Sequence, residues 1–209
     1  MDFSPEDATG DARSVMLRQK RERKAIKLLT CQNSGGGQRN IVLLDPNITA
    51  CPDWKDLFGQ LIDSKAYVDI TQGLDARLLT DKKIEMLKHM KIKMLHFAWD
   101  RYEDGDVVYP KLKMLGEMTG WDRHKITVFV LVNFNTTLEQ DLERIYKIRE
   151  LGFAPYVMVY DKEHTTMADS CRQLQRWVNN PLIFRSTNRF EEYDPYKRKR
   201  SGYSGTGKD

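Results

Sequence analysis

The chain has 209 residues, of which 40% are hydrophobic and 31% are charged. This length is enough for one sizeable core and too short for two full domains. The net charge of +4 comes from 34 basic and 30 acidic residues. A nucleic-acid-binding domain usually carries a larger basic excess, so composition does not indicate a nucleic-acid partner.

No run of residues approaches the roughly 20 apolar positions that a membrane span needs. The start MDFSPEDATG lacks the basic and apolar regions of a signal peptide. Cys31, Cys51 and Cys171 are odd in number and widely spaced, which favours reduced thiols over a disulfide framework or a zinc clip. The sequence therefore predicts a cytoplasmic protein with no membrane partner.

Short β-branched or aromatic runs alternate with longer amphipathic stretches, the pattern of βαβ units around a parallel sheet. Five predicted strands end at Asp45, Thr71, Asp100, Phe134 and Asp161. Their order predicts an α/β fold with a parallel sheet, which right-handed crossovers turn into either an open sheet or a barrel.

Apolar residues at helical spacing predict helices over 54–63, 80–90, 137–151 and 167–178. Thr80 suits a helix start, and Gly152 occupies the position where a glycine commonly ends a helix. Asn179, Asn180 and Pro181 stop the last helix before a short apolar run.

The two ends differ from the interior in composition. Residues 1–40 combine a charged stretch with the glycine-rich NSGGGQRN, and residues 191–209 form a polar tail with the basic run KRKR. We predict a flexible N-terminal segment, a folded region over 41–190 and a disordered tail.

Ligand sites in parallel α/β folds form at the carboxyl ends of the strands, where loops and helix N-termini converge. Polar residues follow all five predicted strands. They are Asp45 and Asn47; Gln72, Gly73, Asp75 and Arg77; Asp100; Asn133 and Asn135; and Tyr160 and Asp161. Arg77 could clamp a ligand carboxylate or form an ion pair with Asp75 or Asp100.

The sequence lacks the motifs of several other kinds of functional site. The four histidines show neither HxH nor HExxH spacing, so a metal hydrolase is not supported and no metal ligand is assigned. No GxxxxGK[ST] or GxGxxG follows a predicted strand, which argues against phosphate-loop and dinucleotide-binding folds.

Several segments, in this order, resemble the central and later βα units of a radical S-adenosylmethionine (radical SAM) domain. They are DPN (45–47), VDITQGLDARLL (68–79), HFAWD (96–100), VFVLVNFNTTLEQDLERI (128–145) and LGFAPYVMVYD (151–161). The resemblance covers roughly residues 41–190. It implies a partial (β/α)6 TIM-like barrel that lacks the first βα unit and holds S-adenosylmethionine across the strand ends.

The resemblance also implies roles for individual residues. Gln72, Gly73, Asp100, Asn133, Asn135 and Tyr160 match positions near the cofactor. Asp45, Asn47, Asp75 and Arg77 are assigned to the substrate side.

One departure from the family pattern is large. The family binds a 4Fe–4S cluster through a CxxxCxxC loop, and this sequence contains no such motif. The chain is therefore expected to be an enzyme fragment, inactive alone, whose cluster loop could come from a second chain. Its complete form would cleave S-adenosylmethionine reductively and act on an unknown substrate.

Two alternatives remain. One is a non-catalytic binding or regulatory module on the same barrel, which requires no cluster. The other is a metal-independent enzyme that uses Asp45, Asp75 or Asp100 as an acid or base, for which the carboxylates must lie close together.

Overall fold

The β-branched and aromatic runs form a parallel sheet in the computed structural model, which describes residues 39–44, 47–161 and 168–195. Its strands within these ranges are β1 (Asn40–Leu43), β2 (Tyr67–Asp75), β3 (Lys91–Ala98), β4 (Ile126–Val132) and β5 (Ala154–Val159). All four pairings are parallel, and the strands lie in the sheet in chain order. The predicted α/β fold with a parallel sheet is confirmed.

The amphipathic stretches form helices between the strands. They are α1 (Trp54–Ser64), α2 (Asp81–His89), α3 (Gly105–Thr119), α4 (Leu138–Glu150), α5 (Ala168–Asn179) and α6 (Pro181–Ser186). Short 3-10 turns lie at Ile48–Ala50, Ala76–Leu78, Tyr102–Asp104 and Phe190–Glu192.

From α1 to α4, each helix contacts the next one along the chain. Crossovers of one hand between strands in sequential order place successive helices on the same face of a sheet. The β4 side chains show the consequence. Ile126, Val128 and Val130 are fully buried, whereas the alternate residues Thr127 and Phe129 are only partly buried. The sheet thus has one helix-covered face and one more open face.

Helix ends follow the local sequence signals. Thr80 caps α2 through its side chain, as predicted, and Gly152 has the positive φ of 75° that ends α4. Thr137 and Gln140 also form a reciprocal capping box at the start of α4.

Two helices were missing from the prediction. The α3 helix contains Pro110, which cannot donate a backbone hydrogen bond, and begins at a glycine, so its helical signal is weak. The apolar run after Pro181 is the helix α6. Asn180 caps it by accepting from two backbone N–H groups, and Pro181 occupies the first turn, where its missing N–H is harmless.

Strand ends also differ from the prediction. Four strands stop two residues earlier than predicted, at Leu43, Ala98, Val132 and Val159. In contrast, β2 continues four residues beyond Thr71, to Asp75, through an irregular segment. In the described part of the chain, no helix is long and apolar enough to cross a membrane.

Candidate functional site

The strands β4 and β5 are each followed by a turn whose backbone is strained. Asn133, Asn135 and Asp161 have positive φ values of 64°, 53° and 43°. Asparagine and aspartate tolerate this left-handed region better than most residues. Three such residues at one edge of the sheet form a backbone feature of the kind that often accompanies binding sites.

The structure brings Asn133 and Tyr160 together. The Asn133 Nδ2 donates to the Tyr160 carbonyl at 3.2 Å, and the Tyr160 N–H donates to the Val132 carbonyl at 3.0 Å. The Phe134 and Tyr160 rings meet edge to face with centroids 4.9 Å apart. Tyr160 remains 49% exposed, so one side of this aromatic pair is accessible.

A buried ion pair holds the ends of β3 and β4 in place. Asp141 and Arg144 lie one helical turn apart in α4 and are almost fully buried. The Arg144 guanidinium donates to the Trp99, Asp100 and Leu131 carbonyls at 2.7, 3.0 and 2.8 Å.

The Asp141 carboxylate accepts from the Asn133 N–H at 3.1 Å and from Arg144. One helix thereby fixes the backbone at two neighbouring strand ends. The sequence prediction did not include this pair. Its signal was an aspartate within the apolar stripe of α4 and an arginine three residues later.

Asp100 lies at the end of β3 and is exposed as a residue. Nearby protein still desolvates its carboxyl group, which raises its pKa above the ordinary value. The positive charge of Arg144 opposes this shift, and the negative charge of Asp104 adds to it. Because Arg144 also donates to the Asp100 carbonyl, it links Asp100 to the turn after β4. Asn135 is exposed on that turn.

Asp75 and Arg77 pair with each other. The Arg77 Nε and Nη2 atoms donate to the two Asp75 carboxylate oxygens at 2.9 and 3.0 Å, and Nη1 donates to Asp104 at 3.3 Å. The hydrogen bond from Arg77 holds the pKa of Asp75 below its usual value. Of the two partners considered for Arg77, the structure gives Asp75 and adds Asp104.

Gly73 lies in the irregular segment of β2. Ile70 pairs with Leu95 and Leu74 pairs with Phe97, so three β2 residues lie opposite the single residue His96. A Cβ atom on Gly73 would lie 3.2 Å from the Ala98 Cβ, which explains why a residue without a side chain fits there. Gln72, beside it, is exposed.

His96 was not among the predicted site residues. Its Nδ1 lies 2.8 Å from the Ile70 carbonyl, and its ring stacks on Phe129 at 5.2 Å. Because a carbonyl can only accept, Nδ1 carries the proton in the neutral ring and Nε2 is left as an acceptor. His96 is thus a fixed acceptor on the open face of the sheet, next to Gly73. No spacing motif could have singled it out.

The remaining predicted residues follow β1. Asn47 begins the turn Ile48–Ala50, and its side chain accepts from the Thr49 hydroxyl. Asp45 lies outside the described residues. The predicted residues from β3, β4 and β5 are therefore linked through Arg144 and Asn133, whereas Asp75 and Arg77 form their own ion pair near Asp104.

Within the described ranges, no group of three or more His, Cys, Asp or Glu side chains is arranged to hold a metal ion. Comparisons with protein-family models, curated proteins and solved structures gave no match for this chain.

Proposed function

We propose that this chain is a fragment of a radical SAM-type enzyme and that the carboxyl ends of its strands hold S-adenosylmethionine. The observation that carries the proposal is the sheet itself. Five parallel strands lie in chain order, and successive helices from α1 to α4 contact one another. This is the expected geometry of a partial (β/α)6 barrel, with ligands bound at the carboxyl ends of its strands.

The side chains at these ends suit a nucleoside with an amino-acid tail. The exposed side of the Phe134–Tyr160 pair offers an aromatic surface for an adenine ring. Asp100 supplies an acceptor for ribose hydroxyls or an ammonium group.

In the complete enzyme, S-adenosylmethionine would supply a radical for hydrogen abstraction once a one-electron reductant from outside this chain cleaves it reductively. This chain's own residues would bind and orient the cofactor. The Asp141–Arg144 pair would keep the β3 and β4 ends in position, and the acceptor Nε2 of His96 would face a substrate on the open side of the sheet.

The described residues do not fit an iron–sulfur cluster. Cys51 lies in the turn before α1, and Cys171 is buried in α5. Burial raises the pKa of the Cys171 thiol, and the nearby Asp141 charge adds to the shift, which disfavours the thiolate that a cluster needs. Cys31 lies outside the described residues. The sequence contains no CxxxCxxC motif, so the cluster would have to be held by residues outside it, for which we propose a second chain, and we expect this chain alone to be inactive.

A non-catalytic binding module is the second candidate. It is favoured by the pairing of Asp75 with Arg77, which leaves two of the predicted substrate-side groups bound to each other. The same pairing argues against Asp75 as an acid or base, because its lowered pKa keeps it ionised at neutral pH.

Calorimetric titration with S-adenosylmethionine tests the proposal. We expect weak saturable binding by the wild type. The Asp100→Ala variant should bind about 10- to 100-fold more weakly, since a charge-assisted hydrogen bond contributes roughly 1.5–3 kcal/mol.

The matched control is Asp63→Ala, which removes an exposed carboxylate from the far end of α1 and should leave the affinity unchanged. Equal affinities in wild type and Asp100→Ala would remove Asp100 from the site. No binding by the wild type would contradict a cofactor site in this chain.

A further inference from the structure

Two adjoining cavities lie along the free edge of β5. The first, of about 450 Å³, is at the amino ends of β4 and β5 beside α6. The second, of about 580 Å³, lies between β5 and α5. Tyr156 and Asn179 line both. We call this continuous depression the edge groove and define it by Arg123, Arg149, Arg172, Arg176, Arg185 and Tyr156.

The edge groove concentrates positive charge, and among the described residues Asp169, beside Arg172, is the one carboxylate within salt-bridge distance of its arginines. Among the residues that the structure describes, no Asp or Glu side chain lines either cavity. Within the described ranges, Arg149 donates to the backbone carbonyls of Phe184, Thr187 and Asn188 and to no side chain.

The four other arginines of the edge groove are exposed. Arg185 donates to the Pro181 carbonyl, and the nearest acidic contact of Arg172 is Asp169 at 3.8 Å. Among the described residues, Arg123 and Arg176 have no carboxylate within salt-bridge distance. Uncompensated guanidinium groups around a concavity favour an anionic ligand with several charges.

An aromatic side chain lies among these cations. Tyr156 is 44% exposed, and Phe129 supports its ring edge to face at 5.8 Å. The wall beside it is apolar, formed by Phe153, Pro155 and Phe184. A positive groove with an exposed aromatic ring is the arrangement that proteins use to bind single-stranded nucleic acids, in which arginines contact phosphates and bases stack on the ring.

The β5 edge argues against an extended peptide as the occupant. The Asn179 side chain accepts from the Val157 N–H at 2.7 Å and donates to the Val157 carbonyl at 2.9 Å. Gln175 donates to the same carbonyl at 3.2 Å. Because these side chains already bond the outer edge of β5, a peptide strand cannot pair there.

The overall charge of +4 does not show the local concentration of arginines at the edge groove, because acidic residues elsewhere balance it.

We propose that the edge groove binds single-stranded nucleic acid, with the arginines on consecutive phosphates and a base on Tyr156. The groove is formed by residues that precede β4 and β5 and by α5 and α6, away from the carboxyl ends of the strands. The inference does not depend on the proposed cofactor site.

Fluorescence anisotropy of a labelled 12-nucleotide oligothymidylate, titrated with the full chain, tests this. We expect saturable binding at 50 mM KCl that weakens steeply with salt. The variants Arg172→Gln/Arg176→Gln and Arg123→Gln/Arg185→Gln should each bind at least tenfold more weakly. Each should also reduce the slope of log K against log salt by about 1.4, since each phosphate contact on a single strand contributes about 0.7. Tyr156→Leu should weaken binding about tenfold through lost stacking.

The matched control is Lys88→Gln/Lys113→Gln, which removes two charges from the exposed sides of α2 and α3. It should change the affinity less than twofold. An equal loss in control and groove variants would indicate diffuse attraction and overturn the proposal. Displacement of the oligonucleotide by poly-glutamate, with the same sensitivity to the groove variants, would instead identify an acidic protein partner. Absence of binding at 50 mM KCl would also overturn it.

Discussion

The carboxyl ends of the strands and the edge groove both depend on arginine, in opposite environments. Arg144 is fully buried, pairs with Asp141 and donates to three backbone carbonyls. Four of the five groove arginines are exposed, and in the described part of the chain no carboxylate lines the cavities beside them. A buried guanidinium whose hydrogen bonds are made within the chain organises structure, whereas exposed guanidinium groups around a cavity remain available to a ligand.

The strongest test of this contrast is to remove one arginine from each region. Arg144→Met should lower the free energy of unfolding by about 3–5 kcal/mol, because it leaves Asp141 buried without its partner. Arg123→Met removes an exposed groove arginine and should change stability by less than about 0.5 kcal/mol. Urea unfolding followed by circular dichroism measures both.

The double variant Asp141→Asn/Arg144→Met sharpens this test. It removes the uncompensated charge and should recover part of the lost stability. If Arg144→Met and Arg123→Met are equally stable, the buried pair does not organise the strand ends.

The second test concerns Asn179, whose side chain caps the outer edge of β5 beside the edge groove. Asn179→Ala leaves the Val157 N–H without a partner and removes one of two donors to its carbonyl. We expect a loss of about 1–3 kcal/mol in unfolding free energy. Asn179→Asp should lose less, since the carboxylate can still accept from the N–H. Thermal melting compares both with the exposed control Asn188→Ala, and a loss for the control that matches Asn179→Ala would contradict the capping role.

The same contrast explains how much of the fold could be predicted. Periodic apolar runs are local signals, so the five strands, their parallel order and the α4 helix followed from the sequence. Pro110 and Gly105 weakened the signal of α3, and the irregular segment of β2 extended that strand beyond Thr71. These differences arise because packing in the folded protein overrides local propensity.

The candidate site was less predictable. Polar residues after strands could be identified because chain direction fixes which ends converge. The partners of Arg144 lie just after β3, in β4 and in α4, and His96 bonds a carbonyl 26 residues away, so no sequence pattern indicates either contact. The edge groove combines residues from five parts of the fold: the turn before β4, α4, β5, α5 and α6. The net charge of the whole chain could not reveal the edge groove, because it does not report where the charges lie.

The smallest expected effect concerns two carboxyl groups at the carboxyl ends of the strands, Asp75 and Asp100, whose pKa values are shifted in opposite directions. Asp75 has a lowered pKa because Arg77 bonds to it, so its stabilisation is present above the unfolded pKa near 3.9 and is lost as pH falls below it. Asp100 has a raised pKa because it is desolvated, so the folded protein is favoured below pH 3.9 and loses that benefit as pH rises through the folded value.

At pH 7, Asp75→Asn should therefore lower the melting temperature and Asp100→Asn should raise it. Each change should correspond to about 0.5 kcal/mol or less, because these groups are partly solvent-screened. For a chain of this size that is on the order of 1–2 °C. The Asp100→Asn shift should shrink as pH falls from 7 toward 3, where the Asp100 carboxyl group becomes protonated, whereas the Asp75→Asn shift should persist to lower pH, because Arg77 holds the pKa of Asp75 below its usual value. Calorimetric melting of both variants across this pH range makes the measurement. A lower melting temperature for Asp100→Asn at pH 7 would show that its carboxylate, like that of Asp75, is stabilised by its neighbours, and the two halves of the site would then be electrostatically alike.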